Sequence, residues 1–154
     1  MHFFKHFVLF FLFFFCWSVK AQERKISLGV VSDFQLESPS YDLYYGVQGK
    51  YDLTNRQALQ LQAGFSNANI GFVGADYIYN LFLFKRNPLI YVGAGTAYEY
   101  LTNGAGNEIA FNGQAGVQFT VRRFEPYIGF KSKFYFQAEA FDPGYINFGL
   151  RFRL

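Results

Sequence analysis

The sequence predicts an all-β protein, an eight-stranded antiparallel up-and-down transmembrane β-barrel preceded by a cleavable signal peptide. Three observations carry that expectation: a strictly alternating C-terminal segment, seven further alternating segments separated by turn signals, and an export signal at the N-terminus. Within residues 144–154, Ile146, Phe148, Leu150, Phe152 and Leu154 face one way while Asn147, Gly149, Arg151 and Arg153 face the other. Successive side chains of a strand point to opposite faces, so this ribbon requires hydrocarbon on one side and a polar space on the other.

The leader comes first in the chain. Met1 to Lys5 and His6 form a short basic start, Phe7 to Trp17 is an unbroken apolar run, and Val19-Lys20-Ala21 offers small residues where a signal peptidase reads. The run falls short of the roughly 20 residues that a membrane-spanning helix needs. Cys16 stands where a lipidated cysteine could, but the bulky Phe15 precedes it. The expected division is therefore residues 1–21 as signal peptide and 22–154 as a single barrel domain, with no further module after the last strand.

Removal of the leader takes away His2, His6 and Cys16, so the exported part would hold no histidine and no cysteine. Of 14 Lys and Arg, Lys5 and Lys20 leave with it, and the remaining 12 nearly balance 11 Asp and Glu. A near-neutral chain lacks the concentrated basic face of a nucleic-acid binder.

Turn signals place strands at about 24–34, 41–53, 56–66, 69–81, 88–101, 107–121, 124–136 and 144–154. An even number brings both ends to one side, taken as the periplasm. Asp52-Leu53-Thr54-Asn55, Lys85-Arg86-Asn87-Pro88 and Arg122-Arg123-Phe124-Glu125-Pro126 would turn on that side, and Gln35 to Ser40, Ser66 to Asn69, Thr102 to Asn107 and Gln137 to Pro143 on the other. Outer loops of bacterial barrels are usually the longer set. Here they are only slightly longer.

Alternation assigns each strand a lipid and a luminal face. In the third, Leu59, Leu61, Ala63 and Phe65 oppose Ala58, Gln60, Gln62 and Gly64. In the fifth, Ile90, Val92, Ala94, Thr96, Tyr98 and Tyr100 leave Tyr91, Gly93, Gly95, Ala97 and Glu99 inside. In the sixth, Ile109, Phe111, Ala115, Val117, Phe119 and Val121 oppose Asn112, Gln114, Gly116, Gln118 and Thr120. In the seventh, Ile128, Phe130 and Phe134 leave Tyr127, Gly129, Lys131, Lys133 and Tyr135 inside.

A soluble exported barrel would invert this arrangement, and periodicity alone does not separate the two. Other features favour the membrane. Charged residues make up 16% of the chain, against roughly 25% in soluble domains. Bulky aromatics gather near strand ends, with Phe34, Phe65, Tyr98, Tyr100, Phe134 and Phe136 at one rim and Tyr51, Tyr77, Tyr79, Phe119, Phe124 and Phe152 at the other, as membrane interfaces select. Luminal glycines suit a narrow interior.

On this pattern the chain resembles the small eight-stranded outer-membrane barrels of the OmpA and OmpX type found in Gram-negative bacteria. The resemblance spans residues 22–154 and is most specific at Phe148, Leu150, Phe152 and Leu154, which look like the C-terminal assembly signal of that family. Many members end in Phe where this chain ends in Leu154. The resemblance implies location in the outer membrane, contact with its lipid, and insertion from the periplasm with the help of chaperones and an insertion machinery. It implies no single activity.

Candidate chemistry must be built from the residues present. Barrel enzymes that cleave or transfer acyl chains use a histidine to activate a serine or water, and none is expected beyond residue 21. Ser27, Ser32, Ser38, Ser40, Ser66 and Ser132 therefore read as ordinary polar residues, and no cofactor or metal motif stands out. Asp76 and Glu99 are inward carboxylates. Their candidate partners are Lys50, Lys131, Lys133, Arg151 and Arg153, because an isolated charge in a closed barrel would be costly, and a paired network fixing barrel shape is expected. Gly93-Ala94-Gly95 and Gly104-Ala105-Gly106 read as a crowded luminal face and an outer turn, and Asp142-Pro143-Gly144 as a turn.

The reading is a monomeric, non-enzymatic barrel with a filled lumen and a structural or surface-interaction role in the envelope, with residues 35–40, 102–107 and 137–143 as candidate contact loops. A narrow transport or lipid-handling barrel and a soluble periplasmic ligand-binding barrel stand as alternatives.

Overall fold

The computed structural model describes residues 26–36, 41–83, 87–104, 106–137 and 140–154. The predicted signal peptide lies outside them. Eight strands follow in order: β1 (Ile26–Gln35), β2 (Leu43–Asp52), β3 (Gln57–Ser66), β4 (Ile70–Leu83), β5 (Leu89–Leu101), β6 (Asn107–Gln118), β7 (Phe124–Tyr135) and β8 (Ala140–Arg153). Each pairs antiparallel with its neighbours, and β1 pairs with β8, so the sheet closes without an open edge.

Closure is staggered. The ladder from Ser27 runs through Lys50, Gln60, Asp76, Gly95, Asn112 and Lys133 to Asp142 on β8. Ser27's direct partner on β8 is Arg153 instead. A sheet that meets itself at a displaced register must tilt its strands around the barrel axis. Every residue on that ladder except Gly95 is polar, so one continuous row carries charge from the terminal end of the lumen to the far end.

The two faces separate as period-two patterning requires. Leu59, Leu61 and Phe65 of β3 point out with Leu61 63% exposed, while Ala58, Gln60 and Gln62 are buried. Val30, Val47, Val73, Ile109, Phe111, Ile128, Phe130, Phe148 and Leu150 continue the exposed apolar band around the other strands. Aromatic side chains pair at its rims, Phe124 with Phe152 at 5.5 Å and Phe134 with Phe136 at 5.6 Å between ring centroids. Tyr41 and Tyr45 join the exposed aromatics, whereas Phe34, Tyr79 and Tyr100 are half-buried.

Short connections are held by their own side chains. Ser66 Oγ accepts the amides of Ala68 and Ile70, and Asn67 Oδ1 accepts that of Leu43. Asn69 has a φ of 60°, a conformation asparagine tolerates better than most residues. Between β6 and β7, Val121 and Phe124 exchange backbone hydrogen bonds across Arg122 and Arg123, with Arg122 at φ 57°. Asn87 reaches the same end of β6, donating to the Thr120 carbonyl and accepting the Thr120 amide.

Two expectations need correction. Asp142-Pro143-Gly144 is not a turn but part of β8, which begins at Ala140. The pairing with β7 shifts register between Lys131 and Lys133, and such an irregularity accommodates a proline that has no amide to give the ladder. β6 ends at Gln118 rather than at 121, and of the expected connection Arg122 to Pro126 the residues Phe124, Glu125 and Pro126 belong to β7, which starts at 124 as the strand reading placed it. The turn at Arg122 and Arg123, closed by the Val121–Phe124 bridge, leaves Glu125 in the wall of the barrel.

Candidate functional site

The lumen has almost no aliphatic core. Among the described residues its apolar content is two small clusters, one of Ala58, Ile78, Tyr91 and Tyr127 and one of Tyr44, Phe72 and Tyr145 with Ile70 packed beside it, together with the separately buried Val31, Leu89, Ala97 and Ala110. The rest is charge and amide, in three tiers.

At the terminal end, Glu125 is fully buried among cations. Arg153 lies 2.5 Å from it, Arg151 3.6 Å and Lys50 3.8 Å, and Ser27 Oγ donates to it at 3.1 Å. Asp52 adds contacts at 3.0 Å to Lys50 and 3.4 Å to Arg153. The Arg151 guanidinium also donates to Gln60 Oε1 at 2.7 Å and Gln118 Oε1 at 2.5 Å and stacks 4.4 Å from the centre of the Tyr127 ring. A planar fork that bridges β8 to β3 and β6 ties strands far apart in sequence.

The middle tier centres on Lys131, which pairs with Asp33 at 2.8 Å and donates to Gln62 at 3.4 Å. Asn147 donates to the other oxygen of Asp33. Gln62 in turn donates to Asp76 at 2.6 Å, and Asn112 reaches the same carboxylate at 3.3 Å. Tyr127 donates to Gln48, whose amide donates to the Val30 carbonyl. Hydrogen bonds thus link β1, β2, β3, β4, β6, β7 and β8 across the interior.

In the upper tier Lys133 contacts Glu99 at 2.5 Å and lies 4.2 Å and 4.5 Å from the ring centres of Tyr44 and Tyr145. Tyr135 donates to Glu99, and Tyr145 donates to Asp142 at 2.5 Å. Gln35 donates to Asp142 as well, joining β1 to β8 above the register shift. A cation between two rings and a carboxylate is both desolvated and compensated.

Of the residues expected in the luminal network, Lys50, Asp76, Glu99, Lys131, Lys133 and Arg151 are buried inside, and Arg153 is half-buried at the terminal mouth. Glu99 meets Lys133, whereas Asp76 is held by amides and forms no ion pair among the described residues. Asp33, Asp52, Glu125 and Asp142 are members the sequence reading left out. Period two puts Asp33 on the face of Ser27, Gly29 and Val31, a signal in the first strand that could have found it. Glu125 was hidden by the expected turn.

Glycine makes room for this packing at defined points. A side chain on Gly95 would strike the Asp76 carboxylate and the Ala75 carbonyl, and one on Gly116 would meet the Tyr91 hydroxyl at 2.7 Å. Tyr91 places its hydroxyl where side chains on Gly116 and Gly129, neighbours on β6 and β7, would stand.

Three serines expected to be ordinary polar residues have structural partners. Ser27 donates to a carboxylate that three cations already hold, Ser32 donates to the Tyr44 carbonyl, and Ser66 caps a turn. Among the described residues no group of His, Cys, Asp and Glu could hold a metal ion.

Phe148, Leu150 and Phe152 lie on the exposed face of β8, beside β1, and Leu154 follows with its amide bonded to the Ile26 carbonyl.

Solved structures share this architecture. A de novo designed transmembrane β-barrel aligns with a TM-score of 0.61 at 16% identity, over 88% of this chain and 100% of its own. The designed barrel TMB2.3 aligns with 0.60 at 11%, over 84% and 94%. Neisserial surface protein A aligns with 0.59 at 14%, over 84% and 96%. No protein-family model matches the chain, and no curated protein matches it by sequence. At such identities the likeness is one of fold: a closed eight-stranded antiparallel barrel of the transmembrane kind.

Proposed function

We propose that the chain is a monomeric, non-enzymatic barrel of the Gram-negative outer membrane, exported by the leader in residues 1–21, whose role in the envelope is structural or surface-interactive. The observation that carries this reading is the inversion of polarity. Leu61, Val47 and Val30 are among the most exposed side chains, while Lys131, Glu99, Asp33 and Arg151 are among the most buried. In water this would be unstable on both counts; in a bilayer the outer band meets hydrocarbon and the inner charges meet one another.

The filled lumen supports a structural element more than a channel. Eight strands enclose a space just wide enough for side chains, and the three tiers occupy it from one mouth to the other. In the same reading Phe148, Leu150, Phe152 and Leu154 form the strand end that chaperones and an outer-membrane insertion machinery would engage, and the short outer connections offer a limited surface to a partner.

Membrane fractionation combined with electrophoresis of boiled and unboiled protein tests the reading. The expected result is recovery in the outer-membrane fraction with a heat-dependent shift in migration. Recovery as a freely soluble periplasmic protein would overturn it, and steady conductance after reconstitution would replace the filled lumen by a transport path.

A further inference from the structure

Charge on the two rims of the barrel is sharply unequal. The sequences of the far connections, residues 36–42, 67–69, 102–106 and 136–139, contain no Lys or Arg, and Asp42 and Glu108 are half-buried at that end. At the terminal rim Arg56, Arg122 and Arg123 are exposed. None of the three forms an ion pair among the described residues, in contrast to Arg153, which is held by Asp52 and Glu125.

The Arg122-Arg123 tip is also a built feature. The hydrogen bonds between Val121 and Phe124 close the turn, and the Arg123 carbonyl accepts the Arg153 amide at 2.8 Å, fixing the tip against the end of β8. Arg123 lies over the Phe152 ring at 5.9 Å. Exposed Phe119, Val121, Phe124 and Phe152 sit directly beneath, so the two guanidinium groups stand at the edge of the apolar band, the depth at which headgroup phosphates lie. A guanidinium binds phosphate oxygens through paired N–H donors.

We infer that the terminal rim, through Arg122 and Arg123 with Arg56 on the opposite wall, selects anionic phospholipid headgroups from the adjoining leaflet. The inference rests on the membrane reading above and adds a lipid preference and a polarity to it. Among the described residues the far rim exposes no cation with which to make the same contact. The barrel therefore has one lipid-selective end.

The test uses the full chain, processed by the host that expresses it, reconstituted in nanodiscs of phosphatidylcholine with a minor fraction of phosphatidylglycerol. Lipids retained on the barrel after gentle detergent extraction are counted by native mass spectrometry. About one kcal/mol per basic residue near an anionic surface corresponds to roughly fivefold enrichment of phosphatidylglycerol per effective contact at low salt, diminishing at high salt. Arg122→Gln/Arg123→Gln should remove most of the enrichment and Arg122→Lys/Arg123→Lys should keep most of it, with heat-modifiable migration confirming that each variant folds. Equal retention of the two lipids by the native chain, or undiminished enrichment in the glutamine variant, would overturn the inference while leaving the membrane reading intact. A chain that did not enter the nanodisc would overturn both.

Discussion

Removing the Glu125 carboxylate should be among the most damaging changes available in this barrel. Its side chain is fully buried and lies within 4 Å of Arg153, Arg151 and Lys50. Among the described residues Glu125→Ala would leave those cations with Asp52 as their one carboxylate, which reaches Lys50 and Arg153, while Arg151 would keep only neutral hydrogen-bond partners, Gln60 and Gln118. Breaking a buried pair by deleting one partner costs about 3 to 5 kcal/mol, because the charge left behind stays desolvated. The Arg153 contact contributes least to that figure, since its side chain is 30% exposed and water screens it. Arg151, 3% exposed, contributes most. Urea titration of the refolded barrel in vesicles, scored by the fraction that migrates as folded without boiling, measures the loss. Glu125→Ala/Arg151→Met should recover part of it, as the two residues share one interaction. A loss below about 1 kcal/mol for Glu125→Ala, with no recovery in the double variant, would refute the claim that the terminal tier is a compensated ion cluster.

Other perturbations separate the faces and tiers. Leu61→Arg should cost about 2 to 4 kcal/mol near the bilayer midplane, read by the same titration, whereas Gln62→Leu should act differently, loosening Asp76 and Lys131 without disturbing the lipid face. Gly116→Val, whose side chain would meet the Ile128 carbonyl at 2.5 Å and the Tyr91 hydroxyl at 2.7 Å, should destabilise by about 1 to 3 kcal/mol through overpacking, and Tyr91→Ala in the same background should recover only part of it because the backbone contact with β7 remains; a native-like midpoint for Gly116→Val would show that β6 and β7 do not need glycine there. Asn87→Ala, which removes both hydrogen bonds to Thr120, should cost no more than about 1 to 2 kcal/mol, the bonds being exposed. Planar-bilayer recordings of the native barrel should show no steady conductance.

The strands were legible because alternation is a local property. Leu59, Leu61 and Phe65 against Ala58, Gln60 and Gln62 could be sorted without knowing any neighbour, and the structure sorts them the same way. The register of the ladder was not legible, since it depends on closure between β1 and β8, residues far apart in the chain. For that reason the ion pairs could not be assigned: Lys131 meets Asp33 across 98 positions and Arg151 meets Gln60 across 91. Asp76 shows the limit of pairing charges by composition, because Gln62 and Asn112 hold it where a lysine or arginine was expected. Asp142-Pro143-Gly144 shows the limit of turn signals. Proline and glycine that end a strand elsewhere here fit a register shift inside β8, and the shift brings Asp142 to Tyr145 and Gln35.

The polarity of the wall is the central claim, and spin labels can read it directly. With the barrel reconstituted in vesicles, labels at Leu61 and Val47, 63% and 64% exposed, should collide readily with dissolved oxygen and hardly at all with a water-soluble nickel chelate, while a label at Arg122 should show the reverse. High accessibility of Leu61 and Val47 to the chelate would place that face in water and contradict the account.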